Sequence, residues 1–287
     1  MNVFVLVTLL AVAAACAMPA AARLPGASYT WDEKTAYTML EYASASYCDE
    51  KDLLDWSCNV CVGNTTGFVL TGYWTDPVTK TESFSGYHAE SKAIILAHEG
   101  SHNTENWITN LKFKKADLVD YPNATGAKVH RGFQEAWEGV GQEVSDHVAD
   151  LVERFPEYRV YATGHSLGGA LAVLSSLYVT VKKPHVPVHV YTFGAPRVGN
   201  DAFQLYFQSQ IENAVRVVHS TDIVPHLPFR FLGYHHAPLE VWEHNGGYKV
   251  CNGSGEDPKC SDSVVVPTAS AHAVYMGIKV NGCHARS

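Results

Sequence analysis

The chain has 287 residues, 46% of them hydrophobic and 17% charged, a globular balance that excludes a mainly disordered protein. Its 21 basic and 29 acidic side chains give a net charge of −8, and no basic run exists, so nucleic acid and anionic membrane surfaces are not expected partners. The 15 histidines are scattered, without H-E-x-x-H spacing, so no metal site is expected.

Residues 1–22 carry no charged side chain. Val3 to Ala15 is an apolar h-region, and Ala15-Cys16-Ala17 and Ala20-Ala21-Ala22 offer small-residue cleavage sites. A signal peptide cut after residue 17 or 22 is expected, leaving 23–287 as one secreted, extracellular domain. A membrane anchor competes, because a segment of this length could just span a bilayer. Pro19 and the alanine-rich tail favour cleavage, so no stable membrane insertion is expected. Beyond Cys16 stand Cys48, Cys58, Cys61, Cys251, Cys260 and Cys283. An even set in an exported chain reads as three disulfides, for which 15 pairings exist. Cys58-x-x-Cys61 could be half a zinc knuckle or a redox pair, but no second C-x-x-C and no strand–helix pattern supports either. Asn64, Asn123 and Asn252 fit N-x-S/T and would lie on surface loops.

Thr35–Tyr47 has a helical pattern, and Phe68–Trp74 and Thr81–His88 read as strands. Lys92–His98 suits a buried strand, ended by Gly100. From Gly132 to Phe155, Phe133, Trp137, Val140, Val144, Val148 and Val152 recur at three- and four-residue steps, an amphipathic helix. Next come a strand at Tyr158–Thr163, an apolar helix at Leu167–Val181, a strand at Val188–Phe193, a helix at Asp201–Ile211 and a strand at Ala214–His219. Alternation of this kind predicts an α/β fold, a mostly parallel sheet with helices on both faces. Chemistry in such folds sits at the carboxyl ends of the strands.

One motif lies there. Gly164-His165-Ser166-Leu167-Gly168 fits G-x-S-x-G, with the strand Arg159–Thr163 entering and an apolar helix leaving. This is the strand–turn–helix elbow of α/β-hydrolases, which lifts a nucleophilic serine clear of the sheet. A Gly-Ser helix cap is the plainer alternative. After Ser166 the acid should precede the base. Asp201, Asp222, Asp257 and Asp262 follow it, and Asp222 stands at the end of the β-branched strand Val215–Val218, where it could orient an imidazole. His226, His235, His236, His244, His272 and His284 all follow Asp222. The N–H of Leu167, just after the nucleophile, should donate to an oxyanion.

With these residues in view, the chain resembles the secreted fungal-type class 3 lipases, from about Thr35 to Cys283. The landmarks come in the family's order: Glu99-Gly100-Ser101, Asn106-Trp107, Val129-His130-x-Gly132-Phe133, the Ser166 elbow, Thr192 to Asn200, and His272-x-x-Tyr275-x-Gly277-Ile278. The resemblance implies an α/β-hydrolase fold with a lid helix and a Ser166–Asp222–His272 triad, with His235 and His236 as lesser candidates for the base. It implies Ser101 as the second oxyanion donor, and the pairs Cys48–Cys283, Cys58–Cys61 and Cys251–Cys260. Glu99 stands where the filamentous-fungal pattern has Arg, Asn110 where some members have Asp, and Ala271 where an acidic residue often precedes the histidine.

Between the Ser101 turn and Val129 runs a connection of about 25 residues, longer than most loops. In it Trp107, Ile108 and Leu111 share one helical face, opposite Glu105, Thr109 and Lys112. Two readings stand, an ordinary surface helix or a lid that covers the site in water and turns outward at a lipid–water interface. The expectation is a monomeric secreted ester hydrolase of acylglycerols, without cofactor. A feruloyl esterase-like cell-wall esterase and a non-catalytic binding protein on the same fold are the alternatives.

Overall fold

The computed structural model describes residues 29–283. The expected signal peptide, residues 1–22, and His284 lie outside them. In chain order the elements are α1 (Glu33–Ala45), α2 (Glu50–Leu54), β1 (Phe68–Asp76), β2 (Thr81–His88), β3 (Ala93–His98), α3 (Thr104–Asn110), β4 (Lys115–Asp117) and β5 (Lys128–His130). They continue with α4 (Arg131–Arg154), β6 (Arg159–His165), α5 (Leu167–Lys182), β7 (Val188–Phe193), α6 (Asp201–Gln210) and β8 (Asn213–His219), then β9 (Glu240–His244), β10 (Gly247–Val250), β11 (Val274–Tyr275) and β12 (Ile278–Lys279). Local chemistry sets several starts. Asp32 accepts the Thr35 N–H at 2.7 Å to cap α1, and Asn200 accepts that of Phe203 at 3.0 Å to cap α6.

The main sheet has the order β1-β2-β3-β6-β7-β8-β9-β10. Its centre, β3 through β9, is parallel; β1, β2 and β10 join antiparallel at the edges. One face packs α4, α5 and α6 over Leu96, Val160 and Val190, through Phe133, Val144, Leu171, Leu174 and Phe207. The other face receives α1, where Leu40 and Tyr42 meet Phe84, Phe193, Val217 and Tyr275. Both faces of the parallel strands are thereby covered, as their β-branched composition requires.

The connection after the Ser101 turn is less plain than a long loop. It contains α3 and a small antiparallel hairpin, β4 with β5, in the register Lys115↔His130. The segment Glu240–Trp242 is also sheet, pairing in parallel with β8. Three disulfides are present: Cys48–Cys283, Cys58–Cys61 and Cys251–Cys260. Cys48, Cys58 and Cys283 lie close together, as do Glu240, Cys251 and Cys260. Every one of these sulfurs is consumed in a disulfide, so neither group offers thiolates to a metal. Asn64, Asn123 and Asn252 are exposed.

Candidate active site

Ser166 joins β6 to α5 with φ 57° and ψ −128°. This is strained backbone for a residue with a Cβ, and such strain persists where packing over-determines it. Two glycines supply that packing. A Cβ on Gly164 would lie 2.3 Å from the Gly168 carbonyl, and one on Gly168 would lie 2.2 Å from the His98 oxygen. The first turn of α5 is thus pressed directly onto the ends of β6 and β3. Ser166 is fully buried, and its Oγ has no hydrogen-bond partner among the described residues.

Asp222 follows the carboxyl end of β8. Its Oδ2 accepts from His272 Nδ1 at 2.7 Å and from the Tyr275 hydroxyl, and its Oδ1 accepts the Val224 N–H at 2.9 Å. Three donors around a buried carboxylate satisfy the charge that burial would otherwise make costly. Because a carboxylate only accepts, His272 carries its proton on Nδ1 and turns Nε2 the other way. That Nε2 is buried and, among the described residues, without a partner. The two loops are stitched together by Ile223 N to Thr268 O at 3.2 Å and Thr268 N to Thr221 O at 2.7 Å. The two lesser candidates for the base are engaged elsewhere: His236 Nε2 donates to the Pro225 carbonyl at 2.7 Å, and His235 lies 3.9 Å from Asp201. Asp257 is occupied by turn N–H groups, and Asp262 by Arg197 and Arg230.

Two contributors were not legible as such in the sequence. Gly194, left-handed at φ +59°, would as alanine put its Cβ 2.6 Å from the Tyr275 hydroxyl, 2.8 Å from Asp222 Oδ2 and 2.9 Å from His272 Cε1. Only glycine leaves room for the acid and imidazole to lie across the end of β7. His165 is the second. Its ring packs 4.2 Å from that of His272, its Nε2 donates to the His272 carbonyl at 2.9 Å, and its Nδ1 accepts from the Tyr47 hydroxyl at 2.8 Å. Burial, and then the neighbouring His272, push its pKa well below the ordinary imidazole value, so it is a neutral strut.

Leu167 opens α5, so its N–H is among those that helix geometry leaves without an intrahelical acceptor. The turn after β3 meets it: a Cβ on Gly100 would lie 2.6 Å from the His165 oxygen and 3.1 Å from Ser166 Cβ. That contact sets the half-buried Ser101 next in line close to Ser166. Beneath the turn, Trp137 Nε1 donates to Ser175 Oγ at 2.8 Å and His98 Nε2 stands 2.8 Å from the same oxygen. The other His98 nitrogen, Nδ1, lies 2.5 Å from Ser83 Oγ, so both ring nitrogens are hydrogen-bonded to serine hydroxyls. Burial holds the His98 pKa down to about 3, so this chain is neutral and rigid. Glu99, buried with Oε1 3.0 Å from His102 Nε2, has its pKa pushed up to about 9 by burial and then by Glu82.

In α3, Trp107 stacks on Phe133 with ring centroids 6.1 Å apart. Trp107 and Leu111 pack against the core cluster, while Ile108 is half-buried. The helix stops at Asn110: Leu111 is extended, with φ −62° and ψ 117°. Leu111 therefore reaches the apolar side from the chain beyond the helix, a correction to the continuous helical face expected from its spacing. A cavity of about 310 Å³ lies between Trp107, Leu111, His130, Phe133 and Leu167.

These features invite comparison with known proteins. A family model described as lipase (class 3) matches residues 95–232. A lipase of Rhizomucor miehei is 34% identical over 262 residues, spanning 88% of this chain and 70% of that protein. The chain belongs to the class 3 lipases. Another member, a secreted mono- and diacylglycerol lipase of Fusarium solani, is 32% identical over 82% of this chain and 73% of its own length. Among solved structures, a triacylglycerol lipase whose catalytic centre is described as a serine protease triad superposes on this class 3 lipase with a TM-score of 0.80. It is 30% identical and covers 88% of this chain and 98% of its own.

Proposed function

We propose that this class 3 lipase is a secreted, monomeric serine hydrolase that cleaves carboxylic esters of acylglycerols at a lipid–water interface through an acyl-enzyme. The observation that supports the reading is a buried Asp222–His272 pair whose Nε2, like Ser166 Oγ, is buried without a partner among the described residues, while the His165 ring next to Ser166 packs 4.2 Å from that of His272. In the proposed reaction His272 Nε2 takes the Ser166 proton as Oγ attacks the ester carbonyl carbon. Asp222 steadies the imidazolium, and the N–H groups of Leu167 and Ser101 receive the developing oxyanion. Each such donor is worth about 3–4 kcal/mol in the transition state. The imidazolium then protonates the leaving alcohol. Water, deprotonated by the same imidazole, attacks the acyl-Ser166 carbonyl; the acyl–Oγ bond breaks, the imidazolium returns its proton to Ser166 Oγ, and the fatty acid leaves. The apolar side of α3, with Trp107, Ile108 and Leu111, acts as a lid over an acyl-binding cavity.

Purified protein is to be assayed on emulsified triacylglycerol, a monoacylglycerol and methyl ferulate, beside Ser166→Ala. Turnover of the glycerides that falls at least a thousandfold in the variant, with a phosphonate labelling Ser166 alone, is the expected result. Preference for methyl ferulate, or activity within tenfold in the variant, overturns the reading.

A further inference from the structure

The loops that carry Asp222 and His272 also carry large apolar side chains that the described residues leave exposed. After the acid, Phe229 is 41% and Phe231 82% exposed; before the histidine, Val265 is 91% and Val266 73% exposed. They are presented rigidly. Phe229 and Phe231 stack with centroids 5.2 Å apart, and Phe113, just beyond α3, meets Phe229 edge-on at 5.8 Å. Lys115 Nζ donates to the Leu232 carbonyl at 2.5 Å. The neighbouring Val264 packs on the Cys251–Cys260 disulfide cluster, which leaves the next two valines pointing away from the core. Arg230, between the phenylalanines, is paired with Asp262 at 3.0 Å, and this joins one loop to the other.

We infer that Phe229, Phe231, Val265 and Val266 form a fixed anchor that docks the protein on an uncharged lipid surface, separately from any movement of α3. Exposed apolar side chains gathered on ordered loops mark an interaction surface. These flank the site on the sides of both acid and base, so contact through them sets the mouth of the site against its partner. The charge of the one arginine among them is already met by Asp262, and the whole chain is at −8. A neutral acylglycerol phase therefore fits this surface better than an anionic bilayer. The inference rests on the acylglycerol reading and names how the protein holds the lipid phase.

The test uses the Ser166→Ala protein, which binds without turnover. Its adsorption to trioleoylglycerol droplets coated with phosphatidylcholine is titrated, with and without Phe231→Ser or the pair Val265→Ser and Val266→Ser. Each is expected to weaken adsorption at least tenfold, about 1.4 kcal/mol. With Ser166 restored, the same changes should leave the melting temperature and the hydrolysis of dissolved p-nitrophenyl butyrate unaltered. Droplets coated with phosphatidylserine should bind more weakly than neutral ones. Unchanged adsorption in both variants overturns the anchor. So does a concentration-dependent dimer that Phe231→Ser abolishes, which would give the face to a second copy. If the wild type cleaves no ester at all, the acylglycerol reading fails, while the droplet titration still decides whether the anchor exists.

Discussion

Tyr275 and His272 share one acceptor, Oδ2 of Asp222. The phenol keeps its proton, because burial and then the Asp222 charge push its pKa well above the ordinary value. It therefore remains a donor at any working pH. A tight hairpin presents it: Met276 and Gly277, at φ 46° and 82°, turn β11 into β12. Tyr275→Phe removes a hydrogen bond to a charged group, worth about 1.5–3 kcal/mol. Steady-state kinetics on a soluble ester should show kcat lowered roughly ten- to hundredfold with KM little changed.

At Gly194 the expected effect is larger. Gly194→Ala drives a methyl group into the Asp222, His272 and Tyr275 atoms at once and strains a left-handed backbone. Ester turnover should fall at least a hundredfold while circular dichroism keeps the wild-type helix and sheet content. Turnover within threefold of wild type would mean that the acid and base tolerate displacement.

The lid assignment separates interfacial from generic esterase behaviour. Replacing Trp107, Ile108 and Leu111 by serine or asparagine removes apolar side chains worth roughly 1.5–3 kcal/mol each when buried. Hydrolysis of emulsified long-chain triacylglycerol should fall steeply, while that of a dissolved short-chain ester holds or rises. Parallel losses on both substrates with a lowered melting temperature would make α3 scaffold.

Glu99 makes a pH prediction. Its folded pKa of about 9 lies above the unfolded carboxyl value near 4.5, so between those limits the folded state binds more protons. Stability must then fall as pH rises through this window. Glu99→Gln keeps the shape and cannot ionise, so its melting temperature should gain on wild type progressively from about pH 5 to pH 9. A constant difference across that range would show that Glu99 is already ionised in the folded protein.

Much of the architecture was legible because hydrophobic period and glycine placement speak locally. The long helix near Gly132–Phe155 and the strand Val188–Phe193 read directly from their patterns, and the observed α4 and β7 agree with them. The hairpin of β4 and β5 did not, because three-residue strands are too short to show a period and are held by pairing. Leu111 continued the spacing of a helix that ends one residue earlier. Ser166 and Asp222 could be nominated from motif and chain order, whereas His272 is picked out among six histidines by the family resemblance. The reason for Gly194, the service of Tyr275 to Asp222 and the bracing of His272 by His165 could not. Each depends on a contact between segments far apart in the chain, and a lone glycine, tyrosine or histidine carries no local mark of such a partner.

The Cys48–Cys283 disulfide joins positions 235 residues apart, so the chain between them is a covalent ring. A protease that cuts once on an exposed turn, such as that around Val78 or Val265, opens the ring without releasing a fragment. The cut pieces stay tethered, near enough to hold or regain their packing. Such a nick would be visible on a gel only after reduction. Among other hydrolases, a molecule nicked once would remain a single particle.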